Sequence, residues 1–224
     1  MKLKQQFRFC APAIHVKEAT LSKSGEHVLH GTCHHLIDEY LEPDREALES
    51  VANCPADPLA VRRFVLRFGP LRHSDVEGSK LKLAITGFLK SQQVLRHIWQ
   101  DAIGTCVPRR MTTERRSLML PRVTEVTGSF DFSGGELTFV AHDLFEASIL
   151  KLFTFAQRGI LKRCARVDCN VLPYFISDHP RARYCSEQCA QKAQAIWKKQ
   201  WWHEKGQSWR KEQKSKQQKQ KGKS

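Results

Sequence analysis

Four cysteines toward the C-terminal end, Cys164, Cys169, Cys185 and Cys189, stand as two close pairs separated by fifteen residues. Two short-looped pairs can carry four sulfurs to the corners of one tetrahedron, and thiolates at about 2.3 Å are the ligands zinc takes in closed sites. A closed four-thiolate ion leaves no position for substrate or reactive water, so the spacing predicts a single Zn2+ with a structural role. Ser186 lies inside the second pair, in Tyr184-Cys185-Ser186-Glu187-Gln188-Cys189. As an N-cap it would set Cys185 and Cys189 around the first turn of a helix, where the helix dipole favours thiolate over thiol. Val171 to Ile176 and Arg181 to Tyr184 flank the turn-forming run Ser177-Asp178-His179-Pro180 and are expected to pair as a hairpin. Knuckle, hairpin and helix together predict a small treble-clef-like finger.

The run Arg163-Cys164-Ala165-Arg166-Val167-Asp168-Cys169, then Tyr174-Phe175-Ile176, then Arg183-Tyr184-Cys185-Ser186 and a basic helix resembles the CGNR-type zinc finger. That finger closes bacterial proteins with an N-terminal ABATE domain, described as stress-induced transcription regulators. Phe68-Gly69-Pro70-Leu71 and Trp99 look like landmarks of such N-terminal domains. The family's second pair has four intervening residues and continues Cys-Gly-Asn-Arg; here there are three, followed by Cys189-Ala190-Gln191-Lys192. The resemblance therefore holds for the finger as a class and not for the name-giving tetrad. It implies a DNA-binding regulator whose N-terminal domain senses a small molecule or a protein.

Charge points the same way. Residues 158–224 carry seventeen Lys/Arg against five Asp/Glu, while residues 1–157 carry twenty against eighteen. Nearly all of the net +14 thus sits in the finger and tail. A basic segment attracts polyanions, nucleic acid foremost. The other cysteines, Cys10, Cys33, Cys54 and Cys106, are scattered and no secretory signal is visible, which favours a reducing cytoplasm. No apolar run approaches the length of a membrane span. No paired-carboxylate, Ser-His-Asp or open metal constellation stands at a recognisable spacing, so the chain reads as a binding protein and not an enzyme.

The predicted architecture is α+β: a mostly helical ABATE-like domain with a β-hairpin over 1–159, the zinc finger and basic helix over 160–206, and a disordered basic tail over 207–224. Asp44 opens a helix that stops before Pro55, and Asp57-Pro58 opens a second that Gly69-Pro70 closes. A longer helix is expected from about Ser79 to Ala102, burying Leu81, Ile85, Phe88, Leu89, Leu95 and Trp99. Phe130 to Phe139 reads as a hairpin about Gly134-Gly135, pairing Phe130 with Phe139 and Phe132 with Leu137. Asp143 and Glu146 form a capping box for a helix ending near Gly159. His27, His30, His34 and His35 cluster near Cys33, but Gly31 interrupts a helical reading and they are taken as ordinary histidines.

On the helix from Ser186 to about Lys205, Cys189, Ala193, Ile196 and Trp197 share one face, expected to cover the zinc module. Trp202 points the other way, between Lys198 and Lys205, where it could stack on a base or dock on the first domain. Lys192, Lys198, Lys199 and Lys205, with Arg181 and Arg183 from the hairpin, are the candidate phosphate contacts. DNA is the expected partner; RNA or the ribosome, and a purely structural or protein-docking finger, are the competing readings of the same basic surface.

Overall fold

The N-terminal half opens with alternating apolar and polar positions that the computed structural model pairs into a sheet; it describes residues 8–22, 28–104, 128–131, 138–166 and 168–221. Strands β1 (Arg8–Leu21), β2 (Val28–Leu41), β3 (Val76–Glu77), β4 (Lys80–Ala84), β5 (Gly128–Asp131) and β6 (Thr138–Ala141) lie in the order β3-β4-β2-β1-β6-β5. Neighbours run antiparallel except β1 and β6, which are parallel. The α+β class holds, but the first domain is built on this six-stranded sheet and not on helices with one hairpin.

In β2, Leu29 and Cys33 are buried while His30, Thr32 and His34 are exposed, a period-two pattern that places the histidines on the solvent face of a strand. Gly31 faces Ala19 of β1, and a Cβ there would come within 1.9 Å of the Glu18 carbonyl oxygen, so the residue that argued against a helix is the one the strand pairing needs. His27 and Cys106 lie outside the described residues, as do Phe132, Leu137 and the turn between them. The Phe130–Phe139 register of the β5–β6 hairpin is as expected.

Caps written in the sequence place the helices. Asp44 accepts from the Ala47 amide at 2.7 Å and starts α1 (Arg45–Asn53). Asp57 accepts from the Ala60 amide at 3.0 Å and starts α2 (Pro58–Phe68), with Pro58 in its first turn and Gly69 after its end. Asp143 accepts from the Glu146 amide at 2.9 Å to start α4 (Leu144–Arg158), and Glu146 reaches back to the His142 amide at 3.3 Å. The expected helix from Ser79 begins later: Lys80–Ala84 is β4, with Leu81 and Leu83 buried between exposed lysines, and α3 spans Ile85–Gly104. Leu81 fits both periods, and pairing with β2 decides for the strand.

Helices α2 and α4 lie against β1, and α3 packs on α4. Their apolar faces meet the sheet in one core that includes Leu29, Leu48, Val61, Phe64, Leu83, Phe88 and Leu152. Trp99 is fully buried, as expected of a core residue; its Nε1 donates to the Lys162 carbonyl at 3.1 Å and its ring meets Tyr174 edge-on at 5.8 Å.

Further along, β7 (Leu161–Arg163) pairs with β8 (Tyr174–Ile176), through Cys164 N–H to Pro173 O at 2.8 Å and Ser177 N–H to Ile160 O at 2.9 Å. The partner of β8 is therefore the segment before the first cysteine and not Arg181 to Tyr184, which forms no strand. Two helices follow, α5 (Glu187–Glu204) and α6 (Gly206–Lys221). Of the segment expected to be a disordered tail, residues 207–221 are helical, because Lys, Gln, Arg and Glu are all good helix formers and nothing from Gln207 to Lys221 breaks the pattern.

The chain forms two units, Met1–Lys162 with Tyr174–Arg181, and Arg163–Pro173 with Ala182–Ser224. Strand β8 thus belongs with the N-terminal unit, where Asn53 and Glu49 of α1 hold its backbone. The two segments of the second unit carry all four cysteines of the paired motif.

Candidate metal centre

The cysteine pairs converge because each sits on a locally determined turn. Cys169 N–H bonds the Arg166 carbonyl at 3.2 Å, closing the loop that follows Cys164, and Ala165 N–H bonds the Arg183 carbonyl at 2.7 Å, bringing the second pair beside the first. Ser186 caps α5 as expected, its Oγ accepting from the Cys189 amide at 3.3 Å. Cys185 consequently precedes the cap and Cys189 lies in the first turn, side chains converging.

The four Sγ atoms all lie within 4.8 Å of one another. Cys169 is 3.6 Å from Cys185 and 3.8 Å from Cys189, and Cys185 is 3.5 Å from Cys189. A tetrahedron with metal–sulfur bonds of about 2.3 Å has edges of about 3.8 Å, so these separations fit four thiolates around one ion. They are far beyond the sulfur–sulfur bond of a disulfide, about 2.05 Å. Cys164 and Cys189 are buried and the other two are half-buried. Among the described residues no other group of three or more His, Cys, Asp or Glu side chains is placed to hold a metal. Cys10, Cys33 and Cys54 are buried, and burial pushes the Cys54 thiol up to about 11, leaving it unreactive.

One further residue completes the centre. Arg166 Nη1 lies 3.6 Å from the Cys189 sulfur, while its Nε and Nη2 grip the Asp168 carboxylate at 2.7 and 2.9 Å and its Nη2 also reaches the Asp168 carbonyl at 3.1 Å. The bidentate pair leaves the Arg166 side chain only 9% exposed and aims one N–H at the sulfur. Hydrogen bonding to Arg166 holds the Asp168 carboxyl below its usual range. The Cys189 thiol is lowered to about 7, first by its contact with Ser186 and further by Cys185, Cys169 and Arg166, whereas desolvation first and the neighbouring sulfurs next push Cys185 up to about 12. Four thiolates around a divalent ion carry two excess negative charges, and a guanidinium against one sulfur offsets part of them. Spacing alone does not single out Arg166; the signal was an arginine two residues before an aspartate within the first cysteine loop.

The candidate nucleic-acid residues are distributed between the units. Arg181 belongs to the N-terminal unit, and Arg183, Lys192, Lys198, Lys199, Trp202 and Lys205 to the second; all seven are exposed. The face of α5 expected to cover the metal does so only through Cys189, since Ile196 is 51% and Trp197 61% exposed. The cysteine loops are too short to reach beyond the first turn of α5, so the rest of the helix projects from the centre. Trp202 is partly covered, within a cluster with Trp201 and Trp209. No helix among the described residues is long and apolar enough to cross a membrane.

No family model, curated protein or solved structure matches the chain.

Proposed function

We propose that the second unit is a zinc-organised DNA-binding module, and that the whole chain acts as a transcription regulator whose N-terminal domain receives the signal. The observation that carries the reading is the convergence of four cysteine sulfurs at the root of a strongly basic helix pair. From Glu187 to Lys221 there are ten Lys/Arg against three Glu. Zn2+ held by Cys164, Cys169, Cys185 and Cys189 would supply folding energy to loops with little core of their own. Arg166 steadies the Cys189 sulfur, Ser186 fixes the helix start, and α5 with α6 extends the basic surface away from the metal. The second ligand pair stands at the start of α5, Cys185 before the cap and Cys189 in its first turn, as a treble-clef-like finger would have it. Lysines on the helices position the protein on phosphates, and their charge speeds encounter with a polyanion.

The test is binding of the full chain to duplex DNA over a salt series, with and without a chelator. The reading expects affinity that falls steeply with salt and collapses when the metal is stripped. Undiminished binding by the stripped protein would separate the basic helices from the metal centre, and no binding at physiological salt would make the finger a protein-docking element.

A further inference from the structure

At 100° per residue, Lys192, Lys198 and Lys199 fall within one sector of α5 about 120° wide, with Trp202 and the small Ala195 between them, and Lys205 caps the helix end. An aromatic ring amid lysines is the arrangement that stacks on unpaired bases while its neighbours hold the backbone. Here that ring is already engaged. Trp202 meets Trp201 at 5.0 Å and Trp209 at 5.7 Å between ring centroids, both nearly perpendicular (86° and 87°). The Arg210 guanidinium lies 5.8 Å from the Trp202 ring centre, and Arg210 Nε donates to the Gly206 carbonyl at 3.1 Å. Gly206 is buried against the ring itself: a Cβ at that position would stand 2.3 Å from Trp202 Cε3.

These contacts surround the break between the two helices. The α5 ladder ends as Lys205 N–H bonds the Trp201 carbonyl at 2.8 Å, and α6 begins as Trp209 N–H bonds the Lys205 carbonyl at 3.0 Å. Two basic helices are therefore joined through Lys205 at an elbow where Trp202 packs against Gly206 and Trp209. Trp197, the most exposed ring of α5, lies about 100° from Lys198 around the helix, outside the lysine sector. The one ring between the lysines, Trp202, is 46% exposed, and Trp201, Trp209 and Gly206 hold its remaining surface. Lysines act as point charges on phosphate and lack the bidentate fork by which arginine reads guanine.

Resting on the nucleic-acid reading above, we infer that α5 and α6 form a single phosphate-binding arm for double-stranded DNA, with little sequence preference of its own, in which Trp202, Gly206 and Trp209 are positioning residues. The elbow holds the two helices so that their lysines meet one duplex together. Trp202 sets geometry and does not stack on bases.

The experiment uses the full zinc-loaded chain and measures anisotropy on a mixed-sequence duplex and on one of its strands across a salt series. Zinc content and far-ultraviolet circular dichroism of each variant confirm an intact module. Wild type should prefer the duplex. Gly206→Ala, Trp202→Ala and Trp209→Ala should each weaken duplex binding about tenfold and flatten the salt slope, by about 0.9 for every phosphate that α6 no longer neutralises. Gly206→Ala is the sharpest variant, because alanine raises intrinsic helix propensity and removes no ring or charge, so it acts through the seating of Trp202 at the elbow. Trp209→Phe, which keeps an edge-to-face ring, should retain most of the affinity. If the single strand binds as tightly as the duplex, and only Trp202→Ala weakens it while Gly206→Ala and Trp209→Ala are silent, Trp202 stacks on bases and the arm is overturned while the nucleic-acid reading stands. If wild type binds neither polymer, that reading fails and the arm fails with it.

Discussion

Asn53, the last residue of α1, bonds both main-chain groups of Tyr174: its Nδ2 donates to the Tyr174 carbonyl at 2.7 Å and its Oδ1 accepts from the Tyr174 amide at 2.9 Å. A side-chain amide thereby does for β8 what a neighbouring strand would do, and Glu49 Oε1 takes the Ile176 amide at 2.6 Å beside it. Asn53→Ala leaves a donor and an acceptor unmatched in a part-buried place, and each costs about 1–3 kcal/mol. The expected loss is about 2–4 kcal/mol, read as a lower urea midpoint of the N-terminal unit. Asn53→Asp should be no milder, since it sets a carboxylate against the Tyr174 carbonyl.

Asp75 supplies a pH signature. Burial first, with a smaller push from Asp143, raises its carboxyl from the usual 3.8 to about 6, against the opposing pull of Arg72. A carboxyl raised in the folded state binds protons that the unfolded chain does not bind between about pH 4 and 6, so stability falls as pH rises through that window. Asp75→Asn should remove this slope and leave the variant relatively more stable above pH 6. Urea denaturation of both proteins at half-unit pH steps measures the difference; parallel curves would mean that Asp75 titrates normally.

Arg166 should matter to the metal more than to the fold of the N-terminal unit. Removing a group that hydrogen-bonds a metal ligand typically costs about 10–100-fold in affinity. Arg166→Ala is expected to lose zinc to a competing chelator at correspondingly lower chelator concentration, with Asp168→Asn between it and wild type, because the guanidinium would keep its charge and lose its strongest anchor.

Lys198 and Lys199 lie at either edge of Trp202 on α5. Replacing both with alanine should reduce duplex affinity without altering zinc content, and flatten the dependence of log K on log salt by about 1.8 if each neutralises one phosphate. An unchanged slope would place the phosphates elsewhere on the module.

How much of this could be read from residues alone follows from which interactions are local. Helix starts at Asp44, Asp57 and Asp143 depend on a side chain and an amide three residues on, and all three were legible. Strand β1 was not, because it carries irregularities between Pro12 and Ile14 and between Val16 and Glu18 that shift its inward face and hide the period of two. Lys80–Ala84 was hidden for another reason: Leu81, Ile85 and Phe88 satisfy a helical period, and only the distant pairing with β2 settles the matter. The four cysteines announced themselves by spacing. Arg166 did not, since its role depends on the direction in which a bidentate pair with Asp168 aims the third nitrogen. The uncovered face of α5 was misjudged because an apolar stripe shows what a helix could bury, not what lies within reach of it.

The central claim is one zinc ion held by four sulfurs. X-ray absorption at the zinc edge, on full-length protein purified with its thiols intact and metal stoichiometry measured alongside, tests it directly. The account predicts one zinc per chain and a first shell of four sulfur neighbours at about 2.3 Å, with Cys185→Ser disturbing both. A metal-free protein, a shell containing nitrogen or oxygen, or full occupancy in Cys185→Ser would contradict it.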